Sequence, residues 1–177
     1  SNLGEAYRNK GERDKAFEYC EKSLAIQLKT LGSEHPDVAT SYNNLGLACR
    51  DKGKHDKAFE FFEKSLAIRL KTLGPEHPLV ATSYNNLGMA CRDKGELDKA
   101  IRNFEQSLAV RLKTLGPEHP GVTTTYSNLG VTYSEKGDKS KAMDYLLKSR
   151  TALLKKFGSE HPKTKTVQSW IDSLNKE

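Results

Sequence analysis

A repeat of 42 residues constrains the fold of this chain more than any other feature of its sequence. Two short strings recur at this interval: Asn-Leu-Gly begins at Asn2, Asn44, Asn86 and Asn128, and Glu-His-Pro ends at Pro36, Pro78, Pro120 and Pro162. Residues 36–77 and 78–119 differ at only nine of 42 positions. Such a period predicts stacked supersecondary units, each of which contacts mainly its neighbours.

Each unit is predicted to hold two helices. In residues 78–119, apolar or small residues recur at steps of three and four, from Val80 to Cys91 and again from Ala100 to Leu112, as on one face of a helix. Gly95 and Gly116 are placed to end these helices. The sequence therefore predicts an all-α fold with about nine helices, over residues 1–10, 13–31, 37–52, 55–73, 79–94, 97–115, 121–136, 139–157 and 163–176.

Small residues recur inside both helices of the unit. Glycine occurs in three first helices, at Gly46, Gly88 and Gly130, although glycine in a helix costs about 1 kcal/mol relative to alanine. We therefore expect these glycines to allow close contact between helices, facing alanines such as Ala100. The repeated tyrosines, among them Tyr84, are expected to supply bulk between the layers.

The helix pair resembles the tetratricopeptide repeat, in which an aromatic residue precedes Leu-Gly on the first helix and Ala precedes Phe on the second. The matching residues are Tyr84, Leu87, Gly88, Ala100 and Phe104. The unit has 42 residues instead of the usual number of about 34, and NNLG with LGxEHPxVA is similar to the kinesin light chain and nephrocystin-3 type of array.

The resemblance implies one domain over residues 1–177, an α-solenoid in which antiparallel helix pairs stack into a right-handed superhelix. It implies a truncated repeat at 1–35, complete repeats at 36–77, 78–119 and 120–161, and a capping helix at 162–177. Ser1 to Gly4 match the middle of a first helix, so the chain is expected to be a fragment of a longer array.

In tetratricopeptide arrays the first helices line a concave groove, and the helical period assigns the remaining face of these helices to it. The predicted groove residues are Arg8, Asn43, Asn44, Leu47, Arg50, Asn85, Asn86, Met89, Arg92, Asn128 and Val131. In this family, groove asparagines commonly hold a peptide backbone, and basic residues hold acidic side chains or a C-terminal carboxylate. The resemblance therefore implies a scaffold or adaptor that binds an extended, acidic peptide of another protein.

Structural roles for the same residues stay open at this point. Asp51, Asp93 and Glu135 directly follow the basic row and are able to pair with neighbouring arginines, and Ser134 ends that row. The asparagines belong to the repeat motif itself, so they are also candidates for supporting neighbouring helices.

Neither a catalytic nor a metal site is predicted. His35, His77, His119 and His161 recur in equivalent linkers, about 10 Å or more apart if helices pack normally, whereas zinc needs ligands at about 2.1 Å. Their expected role is to cap the following helix. Cys20, Cys49 and Cys91 occupy core positions. Because no catalytic or nucleotide-binding motif occurs, we expect neither enzyme activity nor a cofactor.

Composition separates the remaining functions. The net charge of +6 suggests nucleic-acid binding, and helical repeats can read RNA. However, the basic residues are interspersed with acidic ones, and the groove face lacks repeated aromatic residues for base stacking, so RNA binding is the less favoured function. No segment is apolar enough for a membrane span, and three widely spaced cysteines are typical of a reducing, cytoplasmic setting. An alternative is homo-oligomerisation through solenoid ends, with apolar surface open at Leu3 and Tyr7.

Overall fold

The computed structural model describes residues 6–8 and 10–176, and helices make up most of this part of the chain. Residues 6–8 are helical, within the first predicted helix. Eight further helices follow: α1 (Arg13–Leu31), α2 (Pro36–Asp51), α3 (His55–Leu73), α4 (Pro78–Asp93), α5 (Leu97–Leu115), α6 (Pro120–Glu135), α7 (Lys139–Phe157) and α8 (Pro162–Lys176). The even-numbered helices are the first helices of the repeats and the odd-numbered ones are the second helices.

The first helices α2, α4 and α6 begin and end one residue earlier than predicted, whereas α8 begins one residue earlier and ends as predicted. Proline is their first residue, where its fixed φ suits the helix and its missing N–H has no helical partner. The preceding histidine is extended, with φ −77° and ψ 139° at His77, and its Nδ1 atom accepts a hydrogen bond from the backbone N–H of Leu79 at 3.1 Å. This side-chain cap sets the start of the helix.

The helices stack in one direction, as a solenoid does. Each helix packs against the next in the chain, and α2 contacts α4, α4 contacts α6, and α6 contacts α8. Among the described residues, the backbones of no other pair of these helices lie close together. This nearest-neighbour pattern confirms the predicted all-α solenoid of stacked helix pairs. It also aligns the first helices side by side, so that residues 42 positions apart form rows.

Glycine allows the two helices of a repeat to approach closely. A Cβ atom added to Gly88 would lie 2.6 Å from the Phe104 ring, and one added to Gly46 would lie 2.4 Å from the Phe62 ring. Both rings are fully buried. The expected role of the first-helix glycines is therefore explained by the bulky side chain that each one accommodates, which is a phenylalanine ring at Gly46 and Gly88 and Leu146 at Gly130.

The tyrosine prediction needs correction. Tyr84 is only partly buried, whereas Phe62, Phe104 and Leu146 fill the space between the paired helices. Phenylalanine has no hydroxyl to satisfy, so it suits a closed interior better than tyrosine does. Tyr84, which precedes the Leu87-Gly88 pair, thus contributes to packing but does not form the centre of the core.

The boundaries of the repeats, including the capping helix, remain our proposal. Helix α8 continues the register of the first helices, and it buries Val167, Ile171 and Leu174. However, Asp172 occupies the position of Gly130. A carboxylate there leaves no room for a second helix to approach as α5 and α7 do, which supports a capping role.

We predict that Gly88→Ala lowers the free energy of unfolding by about 1–3 kcal/mol, because the added methyl group overlaps the Phe104 ring. Alanine has the higher helix propensity, so propensity alone predicts the opposite sign. Urea unfolding followed by circular dichroism measures the change. Thr124→Ala, on the exposed face of a first helix, serves as the control. Stabilisation by Gly88→Ala would contradict the packing described here.

Candidate functional site

The asparagine rows join neighbouring first helices. The Asn86 side chain donates to Asn43 Oδ1 at 2.7 Å, and the Asn128 side chain donates to Asn85 Oδ1 at 3.0 Å. Asn43, Asn85 and Asn86 are buried, with exposures of 5–8%. Each bond links residues 43 positions apart, so it crosses from one repeat to the next. Four of the predicted groove amides thus serve the contact between repeats. Of these, only Asn128 keeps partial exposure, as does Asn44, which is not part of either bond.

The arginine row is likewise paired across repeats, except at its last member. Arg8 Nε lies 3.1 Å from Asp51 Oδ2, and Arg50 contacts both carboxylate oxygens of Asp93. Arg92, which is half-buried, has no carboxylate within 4.0 Å among the described residues. Its expected partner position holds Glu135, whose side chain is exposed. Arg92 therefore ends the row with an uncompensated guanidinium group.

The apolar positions between these rows are partly buried. Leu47 packs against the cluster that contains Cys49 and Phe62, and Met89 packs against the cluster that contains Phe104. Val131 is also half-buried and lines a small cavity of about 100 Å³ beside Trp170. The predicted floor of the groove is thus anchored in the core and still presents apolar surface.

Two buried arginines were not identified from the sequence. Arg69 and Arg111 are 3% and 9% exposed. Arg69 Nη1 donates to the Leu79 carbonyl at 3.0 Å and to Ser83 Oγ at 2.9 Å, and Arg111 makes the equivalent bonds to the next repeat. Burial lowers the pKa of both guanidinium groups. They tie the end of a second helix to the start of the following first helix.

A correlation between repeats could have revealed these arginines. Their position holds Gln27, Arg69, Arg111 and Leu153 along the chain, and the position 14 residues later holds Ser41, Ser83, Thr125 and Val167. Polar residues face polar partners in three junctions, as in the bond between Ser41 and Gln27, and two apolar residues face each other in the fourth.

The four linker histidines act as helix caps, as predicted. Nδ1 of His35, His77, His119 and His161 accepts the backbone N–H two residues later at 3.0–3.2 Å. Each imidazole is thus committed to its own helix. No group of three or more potential metal ligands occurs within the described part of the chain.

The predicted open end is described only in part. Leu3 lies outside the described residues, whereas Tyr7 stacks on Tyr19 with ring centroids 5.0 Å apart. Among the described residues, no helix combines the length and the apolarity that a bilayer crossing needs.

The three cysteines are free and buried. Burial raises the pKa of each thiol, in the case of Cys91 to about 11. Because a buried thiolate is disfavoured, these side chains are poor nucleophiles and behave as small apolar residues.

We predict that the native protein reacts only slowly with Ellman's reagent at about pH 8 and that all three thiols react after unfolding. The raised pKa values also have a consequence for stability. Since the unfolded thiols ionise from about pH 9 and the folded Cys91 only near 11, stability falls as the pH rises through this interval. Rapid labelling of any thiol in the native state would contradict the burial.

Comparison with known proteins identifies the fold family. A sequence profile of the tetratricopeptide repeat matches residues 1–71, 44–113 and 79–155. A solved structure from Podosopora anserina, provisionally identified as a kinesin light chain with nearly identical TPR-like repeats, is 32% identical. It superimposes with a TM-score of 0.84, over 99% of this chain and 83% of that one.

Two more distant structures share the fold. BtubC (BKLC) from P. vanneervenii is 24% identical, with a TM-score of 0.86 over 98% of this chain and 69% of that chain. The apo form of RapI is 20% identical, with a TM-score of 0.82 over 99% of this chain and 64% of that chain. Curated protein sequences gave no match. The profile covers most of the chain, which therefore belongs to the tetratricopeptide repeat family.

Proposed function

We propose that this chain is a protein-interaction scaffold that binds an extended, acidic peptide across its first helices. The repeat family and its stacked architecture support the scaffold role. The acidic character of the ligand rests on one observation: Arg92 presents a guanidinium group without a carboxylate partner among the described residues, on the face that also carries Met89 and Val131.

We propose different roles for the predicted groove residues, according to whether they are already paired between repeats. Arg8 and Arg50 already bind carboxylates of the next repeat, so a ligand carboxylate has to compete with Asp51 or Asp93 there. Within the part of the chain that the structure describes, Arg92 has no such competitor. It is proposed as the main contact for an acidic side chain, which its planar fork can bind through two hydrogen bonds. Asn44 and Asn128 are proposed to bind the peptide backbone, since an amide offers both a donor and an acceptor.

The distribution of charge favours a peptide over nucleic acid. Lysines pair with carboxylates of neighbouring repeats in two repeated series, Lys52–Asp14, Lys94–Asp56 and Lys136–Asp98, and Lys71–Glu34, Lys113–Glu76 and Lys155–Glu118. These pairs spread positive and negative charge together over the surface, whereas nucleic-acid binding requires a basic stripe. We also propose a cytoplasmic location, which is supported by the three free, buried cysteines, since these are typical of a reducing compartment.

We predict that Arg92→Gln weakens the binding of acidic peptides at least about tenfold, because it removes a charge-assisted contact of about 1.5–3 kcal/mol. Short peptides rich in Asp and Glu are selected on the wild-type chain, and their affinities are then measured by fluorescence anisotropy. Arg102→Gln is the matched control, since Arg102 is exposed on the second helix α5 and the charge change is the same.

Arg50→Gln separates binding from stability. It leaves Asp93 without its arginine partner, so we expect a lower unfolding midpoint and a smaller effect on affinity than in Arg92→Gln. Equal affinities for Arg92→Gln, Arg102→Gln and the wild type would refute Arg92 as the acidic contact. Failure of all acidic peptides to bind would refute the ligand class.

A further inference from the structure

The regular pattern of contacts between repeats breaks at one junction, between α6, α7 and α8. Arg111 and its partner Thr125 are replaced there by Leu153 and Val167. The asparagine pair that links Asn85 to Asn128 is replaced in the same step by Ser127 and Trp170. Two polar links between repeats are thus absent from this junction, and shorter or apolar side chains take their positions.

A cavity of about 280 Å³ lies at this junction. Leu153 and Val167 form part of its wall, and Phe157 and Trp170 line it while remaining 42% and 38% exposed. In the preceding junction the same position is filled by the Arg111 side chain, which is 9% exposed and bonded to Gly121 and Thr125. The exchange of a long arginine for leucine therefore removes a buried side chain from this junction.

The charges around the cavity have one sign. Lys156 and Lys163 contribute to its lining, and no aspartate or glutamate does so. Neither lysine forms an ion pair with a carboxylate within the described residues, although their neighbours Lys155 and Lys165 are paired with Glu118 and Glu160. An apolar space beside two uncompensated ammonium groups suits a ligand with an apolar body and an anionic head.

The cavity is separate from the arginine row. It contacts the first half of α6, at Thr123 to Asn128, whereas the row reaches α6 near its end, at Ser134. Ten residues of helix, from Thr124 to Ser134, correspond to about 15 Å. A peptide that follows the row therefore reaches the cavity only at Asn128, which lines the cavity and is also a proposed contact for the peptide backbone.

The geometry points to a second binding site, in which this cavity binds a small amphipathic organic acid. The hydrocarbon part of this acid lies between Leu153, Val167 and Trp170, and the carboxylate of the acid lies near Lys156 and Lys163. This site shares Asn128 with the proposed peptide contacts but none of the arginines, and binding of a small acid at Leu153, Val167 and Trp170 does not require that a peptide binds.

Octanoate is the probe, with 1-octanol as its neutral counterpart, and Trp170 is the reporter because it is the only tryptophan in the chain. We expect octanoate to change the fluorescence of Trp170 in a saturable manner. Lys156→Gln/Lys163→Gln should weaken octanoate binding by about fivefold to tenfold and leave the affinity for 1-octanol unchanged, because only the carboxylate contacts are lost.

The decisive variant is Leu153→Arg/Val167→Thr, which installs the residue pair that already fills the preceding junction at Arg111 and Thr125. We expect this variant to fold, as judged by circular dichroism, and to lose octanoate binding although it adds a positive charge. Three results would overturn the site: no saturable change in the wild type, undiminished binding by the filled variant, or equal weakening of octanoate and 1-octanol by the lysine changes. Binding of peptides with apolar and acidic residues in the cavity, without octanoate binding, would also overturn it.

Discussion

The close approach of the two helices in each repeat determines the rest of this structure. It is possible only because Gly46, Gly88 and Gly130 have no side chain where Phe62, Phe104 and Leu146 pack. The tightly joined pair then stacks on its neighbours as a unit. Rows of equivalent residues arise from this stacking, among them the arginine row and the asparagine rows.

Much of the fold could be predicted from the sequence, because a period of 42 residues leaves few ways to bury the repeated apolar positions. The helices, the capping role of His77 and its equivalents, and the close contact at Gly88 follow from local rules of helix formation. The position of Tyr84 did not follow, since periodicity shows which side of a helix is apolar but not how deeply a ring is buried. The binding of a ligand by the predicted groove residues remains a prediction.

Contacts between repeats were the hardest part to predict. The sequence suggested that Asp51 and Asp93 can bind arginines, and the structure shows these pairs. It did not indicate that Asn86 bonds to Asn43, because a polar residue on a helix face fits solvent, a ligand or a neighbouring helix equally well. Arg69 and Arg111 were missed for the same reason. Arginine is usually exposed or paired with a carboxylate, so a buried arginine without an acidic partner is not expected from the sequence. The hydrogen bonds to Ser83 and Thr125 explain why Arg69 and Arg111 are buried.

The bonds between first helices have a consequence for how such a protein can change in length. Asn86 with Asn43, Asn128 with Asn85, and Asp93 with Arg50 are all separated by 43 positions, one more than the period. Duplication of residues 78–119 therefore recreates both kinds of bond at the new junction, because Asn85 then precedes a second Asn86, and Arg92 a second Asp93, by 43 positions. Genetic variation in the number of units is structurally tolerated, whereas an insertion of any other length within a helix shifts the partners apart.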